Sequence, residues 1–95
     1  MTNFTTRIEL HDADAEDYAK LHEAMEAAGF SRTITSSDGT RYELPTAEYN
    51  ISHTTMTADQ VRDKAAAAAI AVKRNPAVLV TSNSGARSWQ GLKKA

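Results

Sequence analysis

The N-terminal stretch alternates apolar and polar residues with a period of two. Phe4, Ile8 and Leu10 occupy even positions, and the odd positions between them are polar. A strand with one buried face has this pattern, because successive side chains point to opposite sides of the sheet. We therefore predict a half-buried strand from Asn3 to Leu10.

A helical period follows this strand. Apolar side chains recur every three or four residues from Tyr18 to Ala28, and Gly29 stands where a helix commonly ends. Asp12 or Asp14 is expected to accept hydrogen bonds from the first free amides of this helix. The pattern predicts an amphipathic helix that packs on the sheet.

A second helical period runs from Val61 to Val72. Thr57 and Gln60, three residues apart, are typical of a capping box at its start. Small alanines on the apolar face allow the helix backbone to approach the sheet closely. Ile70 lies outside that face and is expected to point outward.

A hairpin is predicted between the two helices. Residues 30–36 and 41–53 read as strands, and residues 37–40 form a turn in which Gly39 accepts a positive φ. Arg32 has the same parity as the apolar residues of its strand. Either it ends a buried row or the strand is irregular at that point.

Pro45 interrupts the strand 41–53, since it cannot donate to a ladder, so an edge position or a bulge is expected there. A short apolar strand at 77–81 completes the order βαββαβ. This order fits an α+β domain with a four-stranded antiparallel sheet in the order 4-1-3-2 and both helices on one face. The odd-numbered face of the first strand stays open. We assign the domain to 1–82 and a basic tail to 83–95.

Composition restricts the class of protein further. The chain has 95 residues, 41% of them hydrophobic, and lacks cysteine, which excludes disulfides and thiolate zinc sites. Its apolar runs are shorter than the roughly 20 residues that a membrane span needs, so we expect a soluble, cytoplasmic protein without a membrane partner.

Charge is unevenly distributed along the chain. Residues 1–60 carry four basic and eleven acidic side chains, a balance of −7, and residues 61–95 carry seven and one, a balance of +6. Such an asymmetry favours a local basic surface that binds an anion. The alternative is that the two parts interleave in space and their charges cancel.

Three polar residues, His11, Asp12 and Asp14, gather at the first strand-to-helix corner. Paired carboxylates are oxygen ligands of the kind that hold Mg²⁺ beside a phosphodiester. The imidazole titrates near neutrality and suits a general base on a ribose 2′-hydroxyl. The competing interpretation is that one carboxylate caps the helix, the other faces solvent and His11 is simply exposed.

The predicted topology decides which residues approach this corner. Arg41 and Glu48 are expected there, because the end of strand one lies beside the start of strand three. Arg74, at the close of the second helix, is also a neighbour, whereas His53 falls at the opposite edge. The candidate catalytic residues are His11, Asp12 and Arg41.

The C-terminal tail combines Trp89 with Arg87, Lys93 and Lys94, which suits base stacking and phosphate neutralisation. Alternatively the indole packs on the domain beside Leu92 and anchors the tail. The candidate RNA-binding residues are Arg62, Lys73, Arg74, Arg87, Trp89 and Lys93.

Four phrases carry a resemblance to a known family, and together they cover most of residues 4–82. They are Phe4-Thr-x-Arg-Ile-Glu-Leu-His-Asp-Ala, Met25-Glu-x-x-Gly-Phe, Leu44-Pro-Thr-Ala-Glu-Tyr and Thr57-Ala-Asp-Gln-Val. In these phrases the chain resembles the GhoS-like antitoxins of type V toxin-antitoxin systems, and above all their small bacterial relatives.

This resemblance implies a ferredoxin-like fold, distantly related to that of the Cas2 proteins, and an endoribonuclease that cuts the messenger RNA of a small membrane toxin. Cas2-like proteins often keep an aspartate just after the first strand, the place that Asp12 occupies here. We expect a homodimer acting on single-stranded RNA, with Mg²⁺ as the cofactor if one is used. The alternatives are a non-catalytic interaction module that binds protein or RNA, and a small-molecule enzyme.

Overall fold

The computed structural model describes residues 2–36, 38–83, 88 and 90–95, apart from the side chains of Thr2 and His53. The predicted α+β class is confirmed, with one strand more than expected. The elements are β1 (Thr2–Glu9), α1 (Ala15–Ala27), β2 (Thr33–Thr35), β3 (Arg41–Glu43), β4 (Glu48–Thr54), α2 (Ala58–Ile70) and β5 (Ala77–Asn83).

The strands form two sheets, so the predicted single four-stranded sheet is wrong. β1 lies between β4 and β5 and is antiparallel to both, while β2 pairs only with β3. A bridge joins the sheets, because Ser31 and Asn50 exchange two backbone hydrogen bonds of 2.7 Å each. The hairpin therefore lies beside β4 without extending its ladder.

The predicted strand 41–53 breaks at the proline. Pro45 has no N–H to give to a ladder, and its carbonyl oxygen accepts from Glu48 N at 3.1 Å, which closes a tight turn. Ala47 within that turn has a φ of 67°, a conformation that a Cβ atom disfavours. The turn separates β3 from β4 and divides the sheet.

A second irregularity lies at Arg32, between the bridge of Ser31 to β4 and the start of β2 at Thr33. Phe30 is 3% exposed and packs in the main core, whereas Ile34 is 5% exposed and lies outside that cluster. Between them Thr33 N donates to Ser31 Oγ at 3.1 Å, which bends the backbone. Of the two interpretations of Arg32, the irregular strand is the one confirmed.

The predicted hairpin turn is confirmed for the residues that the structure describes, which exclude Ser37. Ser36 N donates to Thr40 O at 2.8 Å, and Thr40 N donates to Asp38 Oδ1 at 2.9 Å. Gly39 has the expected positive φ of 88°. The turn chemistry therefore positions β2 against β3.

One core holds the two helices and the three-stranded sheet together. The even-numbered side chains of β1 face it, as their alternation predicted. Thr57 and Gln60 form the predicted capping box of α2. No helix in the described part of the chain is long and apolar enough to cross a bilayer. The buried cluster consists of Phe4, Ile8, Leu10, Leu21, Met25, Phe30, Tyr49, Ile51, Val61, Ala65 and Ala69.

The other face of the sheet is not as open as predicted. Glu43 N donates to Lys93 O at 2.8 Å and Ala95 N donates to Arg41 O at 3.0 Å, so the end of the tail pairs with β3. Leu92 of the same segment shares a depression with Thr5 of β1. The tail therefore lies beside the hairpin, and the packing of Trp89 falls outside the described residues.

Candidate functional site

A depression of about 530 Å³ lies between the end of β1 and the segment that follows α2. It joins two segments that are about sixty residues apart in sequence. Its lining is formed by His11, Asp12, Val72, Lys73, Arg74 and Asn75. We call this depression the His11 corner.

Two residues with positive φ turn the chain at the His11 corner. Asp12 has a φ of 52° and Asn75 a φ of 57°. Asp and Asn accept this conformation better than most non-glycine residues. α2 has already ended at Ile70, and Pro76 follows Asn75 directly and leads into β5 with a fixed φ, so the backbone of the corner follows from its local sequence.

The two candidate carboxylates have different roles. Asp14 is the N-cap of α1, since its Oδ1 accepts from Asp17 N at 2.9 Å and Asp17 Oδ2 accepts from Asp14 N at 3.2 Å. Asp12 is exposed and lines the depression. The interpretation in which one carboxylate caps the helix and the other faces solvent is confirmed.

Asp12 and Asp14 are therefore not equivalent as candidate Mg²⁺ ligands, because Oδ1 of Asp14 is engaged at the helix end. In the described part of the chain, His and acidic side chains nowhere gather in a group of three or more that fits a metal ion. Asp12 is the carboxylate that the His11 corner offers.

Cations at the corner come from the end of α2. Lys73 Nζ lies 3.5 Å from Asp17 Oδ2 and ties the end of α2 to the start of α1. The backbone N–H of Asp14, and then Lys73, hold the pKa of Asp17 below its usual range. Arg74 is exposed and forms no ion pair with the described residues, so its charge is available to an anion.

His11 is exposed, and a carboxylate from β1 lies near its ring. Its Nδ1 is 3.8 Å from Glu9 Oε1. The carboxylate lies on the Nδ1 side of the ring, which leaves Nε2 for a substrate. The sequence interpretation missed Glu9, although its position two residues before His11 on an alternating strand places both on one side.

Arg41 does not lie at the His11 corner, contrary to expectation. Its Nη2 donates to Thr33 Oγ1 at 3.0 Å, and it lines a groove with Asn3, at the opposite end of β1. The six residue-to-residue steps from Asn3 to Glu9 span about 20 Å of extended chain. The break at Pro45 is the cause, because it detaches β3 from β1.

Of the other predicted neighbours, Arg74 lies at the corner itself. Glu48 pairs in register with Arg7, near the end of β1, but lines the depression that contains Thr5 and not the His11 corner. The backbone of His53 lies at the Thr2 end of β1, since Thr2 pairs with Thr54. His53 and His11 are thus at opposite ends of the sheet.

The candidate RNA-binding cations are spread over the molecule. Arg62 lies 3.4 Å from Asp59 and 3.0 Å from Asp63, and these carboxylates raise its pKa. Lys93 is exposed beside β3. Nearby carboxylates therefore offset the charges of Arg62 and Lys73. Arg87 and Trp89 lie outside the described residues.

A histidine that the sequence analysis did not select has the best-defined partner. His22 Nδ1 lies 2.6 Å from the hydroxyl of Tyr49, which is fully buried. Burial, and then the charge of Arg32, lower the pKa of His22, and burial raises the pKa of Tyr49 to about 12. Both groups are neutral at pH 7, and we assign the phenol as the donor to the imidazole.

Two buried polar atoms accompany this pair. Arg32 Nε and Thr6 Oγ1 have no hydrogen-bond partner among the described residues. The helical spacing of Tyr18, Leu21 and Met25 places His22 at the edge of the apolar stripe, which is a signal of partial burial, but the partner on β4 is remote in sequence. The His22–Tyr49 pair ties α1 to the central sheet.

Comparisons with protein-family models, with curated proteins and with solved structures find no match to this chain. The residues of the His11 corner therefore carry the functional argument.

Proposed function

We propose that this chain is a GhoS-like, cytoplasmic endoribonuclease that binds single-stranded RNA and cleaves it at the His11 corner. The observation that carries the proposal is the meeting of His11, Asp12 and Arg74 in one depression of about 530 Å³. A general base beside a guanidinium that forms no ion pair with the described residues suits a phosphodiester.

The cations of the corner suit the phosphate. Arg74 presents planar N–H donors that match two phosphate oxygens, and this pairing strengthens as negative charge grows in the transition state. Lys73 adds positive charge but shares it with Asp17, 3.5 Å away. We assign Arg74 as the main phosphate ligand and Lys73 as its support.

His11 supplies the proton transfer. The 2′-oxygen of the ribose attacks the adjacent phosphorus while its proton passes to Nε2 of His11. The bond from phosphorus to the 5′-oxygen breaks, and that oxygen takes a proton from solvent. The products are a 2′,3′-cyclic phosphate and a 5′-hydroxyl end. Glu9, 3.8 Å from Nδ1, stabilises the imidazolium that forms.

Asp12 lies beside the base and the cations, and we propose that it helps to position the ribose through a hydrogen bond to a hydroxyl. The proposed reaction uses no Mg²⁺, and Asp14, the second candidate ligand, accepts from the first turn of α1. Biologically, the substrate is proposed to be the messenger RNA of a small membrane toxin.

The experiment is cleavage of a single-stranded RNA of mixed sequence by wild type, His11→Asn, Arg74→Gln and Lys64→Gln. Lys64 is the matched control, since it is an exposed cation of α2 away from the corner. We expect the first two variants to lose cleavage and Lys64→Gln to keep it, in the presence of EDTA as well as Mg²⁺. Equal rates for all four proteins would contradict the proposal.

A second candidate is a non-catalytic homodimeric module, which one observation favours. Leu79 is 64% exposed on the outer face of the sheet, where it lines a shallow depression with Arg7 and Glu9. A two-fold axis at this patch pairs Arg7 of one copy with Glu9 of the other around two leucines. Sedimentation of Leu79→Lys tests this against Ile70→Lys, because Ile70 on α2 is 56% exposed and is the other candidate surface for assembly. A monomeric wild type would rule the dimer out.

A further inference from the structure

A second depression, of about 380 Å³, lies beside β4 near the Asn3 end of β1. Side chains from four segments of the chain meet in it, and almost all of them are hydroxyls or amides. Those that matter here are Asn3, Ser31, Thr33, Arg41, Asn50 and Ser52. We call it the Arg41 groove.

The irregularities of the fold create this groove. The Ser31–Asn50 bridge holds the start of the hairpin against β4, and the bend at Arg32 then leads β2 away from β4. The gap that opens is lined by outward-facing polar residues of both sheets. A continuous four-stranded sheet would have closed it.

Arg41 supplies the positive charge of the groove. It is exposed, and the structure shows one of its five N–H donors bound, to Thr33 Oγ1 at 3.0 Å. No acidic residue is among the described residues that line the groove. Asn50 Nδ2 donates to Ser52 Oγ at 2.7 Å, which orders two further polar groups.

These groups define the ligand by its chemistry. A guanidinium with free donors binds phosphate oxygens, and hydroxyls and amides bind the hydroxyls of a sugar or the edge of a base. The occupant that satisfies all of them is a nucleotide unit.

The outward residues of β1 connect this groove to the His11 corner. Asn3 lines the Arg41 groove, Thr5 lines the next depression, and Arg7 and Glu9 line the one after it. His11 lies beyond the end of β1, with its Nδ1 3.8 Å from Glu9 Oε1. The distance from Asn3 to Glu9, about 20 Å, equals roughly six stacked nucleotides at 3.4 Å each.

We infer that the Arg41 groove is a second subsite for the RNA strand, where a nucleotide about six positions from the scissile phosphate is bound. This inference rests on the proposed function. It gives Arg41 a role in substrate binding and selection, remote from the bond that breaks.

The test separates binding from chemistry by the length of the substrate. We would measure kcat and KM for cleavage of a trinucleotide and a nonanucleotide by wild type, Arg41→Gln and Lys64→Gln. Arg41→Gln is expected to raise KM for the nonanucleotide about tenfold, the loss of one charge-assisted contact, with kcat unchanged. The trinucleotide, too short to reach the groove, is expected to show wild-type kinetics.

Two results would overturn the subsite. One is an unchanged KM for the nonanucleotide. The other is an equal loss for both substrates, which would place Arg41 at the chemistry. A salt series adds an independent readout, because the loss of one phosphate contact lowers the slope of log K against log salt by about 0.7 on a single strand.

A nucleotide titration tests the groove even if the protein cleaves no RNA. Adenosine 5′-monophosphate is added to ¹⁵N-labelled protein, and amide shifts are followed at Ser31, Thr33 and Asn50. If shifts appear at these residues and are lost in Arg41→Gln, the groove binds a nucleotide. This result would support the subsite even if the protein cleaves no RNA. Shifts confined to the His11 corner, or no shifts, reject the groove.

Discussion

His22 and His11 are held in opposite ways. His22 is half-buried, bonds to Tyr49 at 2.6 Å and has a lowered pKa. His11 is exposed, with a carboxylate 3.8 Å away and two cations in the same depression. The histidine with the better-defined partner stabilises the fold, and the one with a free ring nitrogen is suited to a substrate.

The largest effect that separates the two histidines is expected on activity. His11→Asn should lower the rate of RNA cleavage by at least about 100-fold, because a general base contributes this much or more. Its thermal midpoint should stay within a degree or two of wild type, since the ring is exposed. Initial rates and differential scanning calorimetry measure the two quantities. A large fall in the midpoint would show that His11 is structural.

The reverse result is expected at the buried pair. Tyr49→Phe leaves the imidazole of His22 without its partner and should lower the free energy of unfolding by about 1.5 kcal/mol. Urea titration measures the change in stability. RNA cleavage by this variant should stay at or near the wild-type rate. If a folded Tyr49→Phe protein lost activity, the His22–Tyr49 pair would take part in catalysis. The assignment of His22 as structural and His11 as catalytic would then be wrong.

The two carboxylates of the corner allow a matched test. Asp14→Ala removes the N-cap of α1 and should cost about 1 kcal/mol of stability. Asp12→Asn keeps a residue that accepts positive φ and should leave stability unchanged while cleavage falls. Unfolding and cleavage measured on both variants show whether capping and chemistry are divided as the structure indicates.

The smallest expected effect is a dependence of stability on pH. The folded-state pKa of His22 lies below its ordinary value of 6.5, so the unfolded chain binds more protons in that range. This contribution is complete above pH 6.5 and declines as the pH falls from 6.5 towards the lowered folded-state pKa. His22→Gln should flatten this part of a plot of unfolding free energy against pH, and an unchanged plot would exclude His22 as the group responsible.

The elements that follow from local chemistry were predictable. The alternation from Phe4 to Leu10, the Thr57 capping box and the Gly39 turn all depend on neighbours within a few residues. Asp14 as a helix cap belongs to the same group, although the sequence left Asp12 as an equal candidate.

The remainder depends on contacts remote in sequence. Pro45 signalled a break, but the separation of the hairpin into its own sheet, which places Arg41 near Asn3 and away from His11, could not be read from the sequence. The hydrogen bond from Tyr49 to His22 spans 27 residues and crosses from sheet to helix. Periodicity places such residues on a face but does not identify their partners.

The five consecutive alanines of α2, residues 65–69, lie in different environments. Ala65 and Ala69 are fully buried, Ala66 and Ala68 are half-buried, and Ala67 is exposed. In a library of single substitutions, the two buried positions should accept glycine or serine at most, while Ala67 should accept lysine or glutamate. The run resembles a low-complexity segment, but two of its alanines are required by the close packing of the helix and one is not.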